Sequence, residues 1–389
     1  MKILITVPGI VGIKPGLSGG EMRLFELIKC WKLAGHQIHI LTSIGGKNLC
    51  EDLGIEADQY FIVSHSADDT RFAFILRAIK ILFYSIKHLC LNSYDFIYSP
   101  SEQVYDVIPC WKMKLSMGDK IKWAVVTHWL PPFPPWKRKS SSFINSTLFF
   151  ISERIGVRLA YQSADKLLPV SNGTLQQLHD VLGVNKKFVS VDCGVNLSQI
   201  KTITTNTGLK KYDAVFMKRL QAVKGIFDLI NIWEIVVQHQ NDAKLAIIGS
   251  GPDRERAQNL VKEKGLQNNI EFLGVIYDLK EKYGIIGSSK MFLLPTYEEN
   301  WAIVIGEAMA AGVPVIAYDL PELLTVWKDN FIPIPVGNHQ VFAREIISLL
   351  NSPSTQDNYK EKGLSFIEKY DWKRIADNEI KIIMDSEQA

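Results

Sequence analysis

The sequence has little excess charge, no long apolar run and few cysteines. Forty-four Lys and Arg against 41 Asp and Glu leave a net charge of +3, which is too balanced for a dedicated nucleic-acid-binding protein. The sequence has no uninterrupted run of about 18 apolar residues, so a membrane-spanning helix is not expected. The apolar opening, residues 1–13, lacks a small-residue cleavage pattern and predicts a strand, so we expect a cytoplasmic protein.

The five cysteines are scattered and form no Cys-x-x-Cys pair, which argues against a disulfide framework and against structural zinc. At about 150 residues per domain, the length predicts two or three domains. The content of 47% hydrophobic and 22% charged residues is typical of ordinary globular proteins.

The first half of the chain predicts a βαβ unit. A β-branched run at 2–7 leads through a glycine-rich loop at 16–20 to a helical pattern at about 21–34 and a second strand at 37–42. Two strands joined through a helix imply a parallel sheet.

The second half repeats the scheme. A strand at 213–217 is followed by a basic loop, a helix at 225–239 and a strand at 244–248, and 201–211 has the composition of a linker. The strands are nearly continuous apolar runs, as in sheets that are covered on both faces. We predict an α/β protein with two doubly wound, Rossmann-like domains that face a cleft and bind ligands at the carboxyl ends of their strands.

Two glutamates stand out in the segment 295–314. Glu299 follows a predicted strand, and Glu307 lies in the helix that comes next, where its neighbours at helical spacing are apolar. A carboxylate on an apolar face is costly unless something pairs with it. The backbone N–H groups of residues 300–303, at the start of this helix, suit phosphate or sugar oxygens. We therefore interpret the pair as ligand-binding, against the alternative of a solvated surface.

A basic loop follows the strand at 213–217. Arg219 and Lys224 can neutralise a diphosphate without a metal ion. The sequence has no Asp-x-Asp pair to hold a catalytic divalent ion. Alone, two cations in a loop are most often solvated, and the Glu-rich segment favours the binding interpretation.

Two features of the first half are candidates for ligand contact. The adjacent Gly19 and Gly20 precede a helix and allow either a ligand contact or a simple tight turn. His128 ends a strand, which favours an active-site histidine over a structural one.

Basic and aromatic segments at 71–91, 136–139 and 143–151 suggest contact with an anionic membrane surface. The alternative is a core-packing helix with a solvated face and a polar loop.

Together these residues resemble the retaining glycosyltransferases of family GT4, which have the GT-B fold. The likeness runs through nearly the whole chain. Its most specific element is the Glu299/Glu307 pair, followed by Ala-Met-Ala-Ala-Gly-Val-Pro. The further matching motifs are Gly35-His36, Gly194-Val195-Asn196, Gly249-x-Gly251-Pro252 and Phe272-Leu273-Gly274.

The resemblance implies a first domain at 1–200 on the acceptor side, a donor-binding domain at 201–369 and a last helix at about 370–389 that packs back on the first domain. The diphosphate would be bound by Arg219 and Lys224. The implied donor-binding residues are Gly19, Gly20, Arg219, Lys224, Gly274, Val275, Glu299, Asn300, Trp301, Ala302, Ile303 and Glu307. The implied catalytic residues are His128, Glu299, Arg219 and Lys224.

In detail, the resemblance implies that Glu307 binds the ribose, Glu299 faces the transferred sugar and Gly274 contacts the base through its backbone. Gly20 would close over the phosphates, and His128 would contact the sugar and help to stabilise the transition state. The leaving diphosphate would help to deprotonate the acceptor on the same face of the sugar.

The sequence departs from the family pattern near these residues. Lys218 stands where glycine usually precedes the arginine, which would tighten the loop or add a phosphate contact. Asn300 and Ala302 replace two glycines. No departure removes a charged group that the chemistry needs, so we expect an active enzyme.

The main hypothesis is a retaining, metal-independent transferase that moves a hexose from a UDP- or GDP-sugar to a hydroxyl acceptor: a glycan, a lipid-linked molecule or a small molecule. No cofactor and no nucleic-acid partner are expected. One alternative is a nucleotide-sugar 2-epimerase, which would need carboxylates in the first domain for proton abstraction. The other is an inactive GT-B binding protein.

Overall fold

The computed structural model describes residues 1–7, 18–64, 79–81, 83–84, 86–130, 143–185, 187–205 and 210–385. The chain forms two compact units. The first unit is Met1–Cys193 together with Trp372–Ala389, and the second is Gly194–Asp371. Each unit is built on a parallel six-stranded sheet with helices, which confirms the predicted α/β class.

The first sheet has the strand order of a doubly wound fold. Its strands are β1 (Lys2–Thr6), β2 (Gln37–Thr42), β3 (Gln59–Ile62), β4 (Phe96–Ser99), β5 (Lys122–Thr127) and β6 (Lys166–Pro169). They lie in the order β3-β2-β1-β4-β5-β6, and all neighbours pair in parallel. The order therefore reverses between β1 and β4.

The helices described before residue 193 are α1 (Gly19–Leu33), α2 (Ile44–Asp52), α3 (Lys87–Cys90), α4 (Val104–Met117), α5 (Phe143–Ser163) and α6 (Asn172–Leu182). α1 begins at Gly19, earlier than the predicted position 21, because Ser18 and Glu21 form a capping box. In this motif the Ser18 hydroxyl accepts the N–H of Glu21, and the Glu21 carboxylate accepts the N–H of Ser18.

The second sheet repeats the topology of the first. Its strands are β7 (Tyr212–Met217), β8 (Leu245–Ile248), β9 (Ile270–Gly274), β10 (Ser289–Leu294), β11 (Val315–Tyr318) and β12 (Ile332–Ile334). They lie in the order β12-β11-β10-β7-β8-β9, so the reversal falls between β7 and β10. As predicted for doubly covered sheets, most strand residues are buried; Phe292, Leu293 and Leu294 of β10 have no exposed surface.

The helices described in the second unit are α7 (Leu197–Thr204), α8 (Ile226–His239), α9 (Arg254–Glu263), α10 (Leu279–Gly287), α11 (Ile303–Ala310), α12 (Pro321–Trp327), α13 (His339–Leu350) and α14 (Pro353–Ile367). The predicted linker at 201–211 is wrong in its first part, because α7 runs to Thr204. The side chain of Asn196 caps α7 and Ile200 is fully buried, so packing outweighs the weak helix propensity of the threonines. Residues 206–209 lie outside the described residues.

The last helix, α15 (Trp372–Met384), belongs to the first unit. Its Glu379 forms an ion pair with Arg23 of α1, and both side chains are only 1% exposed. The hydroxyl group of Tyr98 donates a hydrogen bond to Glu379 and accepts one from Arg23. No helix among the described residues combines the length and the apolar character needed to cross a membrane.

Candidate active site

The carboxyl ends of β7 and β10 are neighbours at the reversal point of the second sheet, because these two strands pair in parallel. Lys218 and Arg219 directly follow β7. Residues 295–302 follow β10 and lead into α11. Ligands of doubly wound sheets bind at such a reversal. The basic loop and the Glu-rich segment, which the sequence indicates separately, thus form one candidate site.

Glu299 is the centre of a charged cluster in this site. Its carboxylate is 7% exposed, and its Oε1 atom lies 2.6 Å from the Nζ of Lys218 and 3.2 Å from the Nζ of Lys224. Burial alone would raise the pKa of Glu299, but the two lysines outweigh it and hold this pKa below the ordinary value. Glu299 is therefore ionised at neutral pH.

A close backbone approach places Lys224 beside Glu299. Gly225 has a φ of +80°, and a Cβ atom there would lie 1.7 Å from the carbonyl oxygen of Pro295. Only glycine permits this approach. The N–H of Tyr297 donates to the carbonyl of Val223 at 3.0 Å, and the Lys224 ammonium donates to the carbonyl of Glu298.

Glu307 has the partners that its apolar surroundings require. It is buried on α11 and accepts hydrogen bonds from the Nζ of Lys282 at 2.9 Å and the hydroxyl of Tyr283 at 2.8 Å, both on α10. The apolar neighbours of Glu307 in the sequence indicate that it needs a partner, but no spacing relates Lys282 or Tyr283 to it.

The segment between Glu299 and α11 is tightly constrained. Ala302, which replaces a family glycine, caps α11 in the left-handed conformation with a φ of +57°. The Trp301 ring packs into the aromatic core, 4.6 Å from that of Trp327 and 5.2 Å from that of Tyr370. A donor contact at Trp301 is thus restricted to its backbone.

Other predicted donor-binding residues of this unit lie at the carboxyl ends of β7 and β9 in the same sheet. Arg219 is exposed and makes no hydrogen bond or ion pair within the described parts of the chain. Gly274 ends β9 with a φ of +74°, and its carbonyl accepts the N–H of Gly249 at 2.7 Å. Val275 follows in a half-buried position.

Gly20 and His128 meet in the first unit. A Cβ atom at Gly20 would lie 2.9 Å from Nε2 of His128, so the first turn of α1, which includes Gly19, rests on the imidazole. Nε2 is 2.9 Å from the carbonyl of Pro100. Burial and the charge of Arg23 lower the pKa of His128 to about 4, so this side chain is neutral at neutral pH. As a neutral imidazole, it can form hydrogen bonds but carries no positive charge.

A group of buried carboxylates that the sequence does not predict lies near His128. Glu102 accepts the backbone N–H of His128 at 3.1 Å, and burial raises its pKa to about 7. Burial also raises the pKa of Glu153 to about 8 and that of Asp106 well above its usual range. Glu102 and Asp106 flank the start of α4, but Glu153 lies in α5, so no sequence spacing relates it to the other two carboxylates or to His128. Among the described residues, no three His, Cys, Asp or Glu side chains are placed to hold a metal ion.

Two family models match almost the whole chain. The model of "Glycosyl transferases group 1" matches residues 201–366, and that of "Glycosyltransferase Family 4" matches residues 17–199. The chain belongs to the family 4 glycosyltransferases. This membership confirms the resemblance inferred from the sequence.

The alignments with curated relatives of this glycosyltransferase cover only part of each relative's sequence. An uncharacterized glycosyltransferase of Haemophilus influenzae is 24% identical over 248 residues, which are 62% of this chain and 67% of the relative. A phosphatidyl-myo-inositol mannosyltransferase of Mycobacterium leprae is 28% identical over 200 residues, which are 50% of this chain and 52% of the relative. The chain thus spans about half the length of the mycobacterial relative.

Solved structures show the fold of this glycosyltransferase. The crystal structure of HepE from Anabaena in complex with UDP and glucose matches with a TM-score of 0.71 and 17% identity, and the match covers 98% of both chains. Together with the two doubly wound sheets, this likeness confirms the predicted GT-B fold.

Proposed function

We propose that this glycosyltransferase moves a hexose from a UDP- or GDP-sugar to a hydroxyl group, with retention of the anomeric configuration and without a metal ion. The observation that carries the proposal is the ionised, buried Glu299 at the reversal point of the second sheet, held by Lys218 and Lys224 beside the exposed Arg219. The UDP in the HepE complex supports a uridine nucleotide as donor.

In the proposed reaction, Arg219 and Lys224 bind the diphosphate. A forked guanidinium and an ammonium stabilise the charge that develops on the leaving group without a metal ion. Glu299 accepts hydrogen bonds from the sugar hydroxyls, and Glu307 binds the ribose. The neutral His128 contributes a hydrogen bond to the sugar. The leaving diphosphate takes the proton of the acceptor hydroxyl.

A thermal-shift panel tests this proposal. UDP, GDP, ADP and dTDP, and the corresponding nucleotide sugars, are each added to the protein in the presence of EDTA. A nucleotide at about 100 times its dissociation constant adds about 2.7 kcal/mol of stability, which is visible as a raised Tm. We expect UDP or GDP to raise the Tm. In a separate NMR experiment on the transferred sugar, the coupling of the anomeric proton should show that the anomeric carbon keeps its configuration. No stabilisation by any nucleotide would contradict the proposal.

One observation favours the 2-epimerase as a second candidate. Such an enzyme needs proton-carrying groups in the first domain, and Glu102 and Glu153 are carboxyls whose pKa values are raised to about 7 and about 8. Conversion of a nucleotide sugar to its epimer without any acceptor would support this candidate. A protein that binds the nucleotide sugar but catalyses neither reaction would be an inactive binding protein.

We also propose that the first unit contacts an anionic membrane surface at the cytoplasmic face, where the acceptor is lipid-linked. Phe143, Leu148 and Ile151 of α5 are exposed although they are large and apolar. Residues 71–78, 82 and 85 of the first predicted segment and the whole of the segment 136–139 lie outside the described residues. Binding to phosphatidylglycerol vesicles that decreases with salt would support this proposal, and absence of binding at low salt would contradict it.

A further inference from the structure

We propose that Lys218 is the fixed counter-ion of Glu299, which allows Lys224 to move from Glu299 onto a bound diphosphate. This inference rests on the proposed function, because it takes the ligand of Lys224 to be a nucleoside diphosphate. Lys218 is thereby a positioning residue and not a catalytic one.

The first observation is that two ammonium groups share one carboxylate oxygen. Lys218 lies closer to Oε1 of Glu299 than Lys224 does, at 2.6 Å against 3.2 Å. One positive charge neutralises one carboxylate, so the second ammonium is not required to balance the charge of Glu299. The Lys218 side chain is 16% exposed and that of Lys224 is 23% exposed, so Lys224 is the partner with more access to solvent and ligand.

The second observation is that the backbone of Lys218 is locked at the end of β7. Its N–H donates to the carbonyl of Ile248 at 3.2 Å. Gly249 has a φ of +130°, and a Cβ atom there would lie 2.1 Å from the carbonyl oxygen of Lys218. Lys224 ends the short 3-10 turn Ala222–Lys224 beyond the strand, and its ammonium divides its contacts between Glu299 and the carbonyl of Glu298. Lys218 directs its ammonium to Glu299 at the shorter distance of 2.6 Å, so we take Lys218 to be the lysine that stays on Glu299.

The third observation is electrostatic. If Lys224 alone neutralised Glu299, its movement to a diphosphate would leave a buried, unpaired carboxylate beside a ligand of the same sign. Such a charge is costly in the protein interior. With Lys218 in place, Glu299 stays paired while Lys224 and Arg219 face the phosphates. Lys218 also contributes to the lowered pKa of Glu299.

The test is titration calorimetry of UDP and GDP in EDTA, which leaves the sugar contacts of Glu299 out of the measurement. We expect Lys218→Met to weaken binding about 10-fold or more, since Lys224 is then retained by Glu299. Glu299→Gln should bind UDP or GDP at least as tightly as the wild type. The double variant should match Glu299→Gln, because without the carboxylate no counter-ion is needed. Lys218→Arg should keep most of the affinity.

Lys290→Met is the matched control. Lys290 forms an ion pair with Asp213 at 2.8 Å at the opposite end of the same strands, and its loss should leave nucleotide binding unchanged. A pH series adds a readout that a merely structural role would not change. Protonation of Glu299 removes the need for Lys218, so the affinity ratio between wild type and Lys218→Met should shrink as the pH falls.

Three results would overturn the inference. They are unchanged affinity in Lys218→Met, a double variant as weak as Lys218→Met, and an affinity ratio that is constant with pH. If Lys218→Met does not fold, weaker nucleotide binding by Glu299→Gln would overturn the inference by itself. A wild type that binds neither UDP nor GDP would refute the proposed function, and the inference with it. A wild type that binds while Lys218→Met is unaffected would refute the inference alone.

Discussion

Replacement of Glu379 by Gln should destabilise the first unit strongly. The change removes the charge of one partner of the Arg23–Glu379 pair, in which both side chains are 1% exposed. Arg23 cannot lose its proton, so an uncompensated charge stays buried between α1 and α15. The loss of one partner of such a pair costs about 3–5 kcal/mol. For a unit of this size, that cost lowers the Tm by about 6–20 °C.

The effect should reach His128 in the same unit. Arg23 lies on α1, the helix whose Gly20 rests on His128, and the charge of Arg23 contributes to the low pKa of His128. The remaining anchors of Arg23 in this network are the carbonyl of Asp192 at 3.1 Å and the hydroxyl of Tyr98 at 2.9 Å. Without the carboxylate, α15 loses its ion pair with Arg23 of α1.

Thermal and urea denaturation monitored by circular dichroism measure the loss. Glu368→Gln is the control, because the Lys201–Glu368 pair is 43% and 65% exposed and contributes about 0–1 kcal/mol. Arg23→Met combined with Glu379→Met should be more stable than Glu379→Gln, because two apolar side chains replace the pair. Equal losses in Glu379→Gln and Glu368→Gln would refute the reasoning.

Three further predictions follow from the site residues. Ala302→Gly should stabilise the protein by up to about 1 kcal/mol in urea denaturation, because relief of the left-handed strain at alanine outweighs the greater conformational entropy that glycine gives the unfolded chain. Ala308→Gly, inside α11, should destabilise the protein, and a loss of stability at both positions would contradict the strain at Ala302. Folding raises the pKa of Glu153 to about 8, so its contribution to stability is complete below about pH 4.5 and is lost as the pH rises towards 8. Glu153→Gln should therefore gain stability relative to the wild type between pH 5 and 8, and a constant difference over that range would exclude the shift. Glu307→Ala should weaken donor binding by about 1.5–3 kcal/mol in calorimetry and leave Lys282 without its carboxylate; unchanged donor affinity would remove the ribose assignment.

The sequence predicts the parts of the fold that depend on local pattern. The buried apolar runs of β1 and β10 indicate parallel strands because both of their faces must be covered. The edge strands β3 and β12 are not predicted. Gln59–Ile62 is half-buried or exposed, and Ile332–Ile334 is short and interrupted by a proline, so neither has a clear burial signature. Their pairing with β2 and β11 places them in the sheets.

The sequence predicts the site residues that directly follow strands. It does not predict the contacts between side chains from elements that are distant in the sequence. Glu299 and Arg219 follow neighbouring strands, so topology brings their segments together. Lys218 is visible as a departure from the family pattern, but its contact with Glu299 depends on side-chain geometry. Glu102 and Glu153 meet through tertiary packing of α5 against the loop after β4, where a Cβ atom at Gly156 would lie 1.9 Å from the carbonyl oxygen of Glu102.

The most direct test of the nucleotide-sugar site compares UDP with uridine, and GDP with guanosine, on the wild type and on Arg219→Ala by calorimetry in EDTA. Arg219 is exposed at the end of β7, so its removal does not disturb the core. We predict that the variant loses about 10- to 150-fold in affinity for the diphosphate and binds the bare nucleoside as the wild type does. Equal losses for diphosphate and nucleoside, or no loss for either, would contradict a diphosphate site at the β7–β10 reversal point.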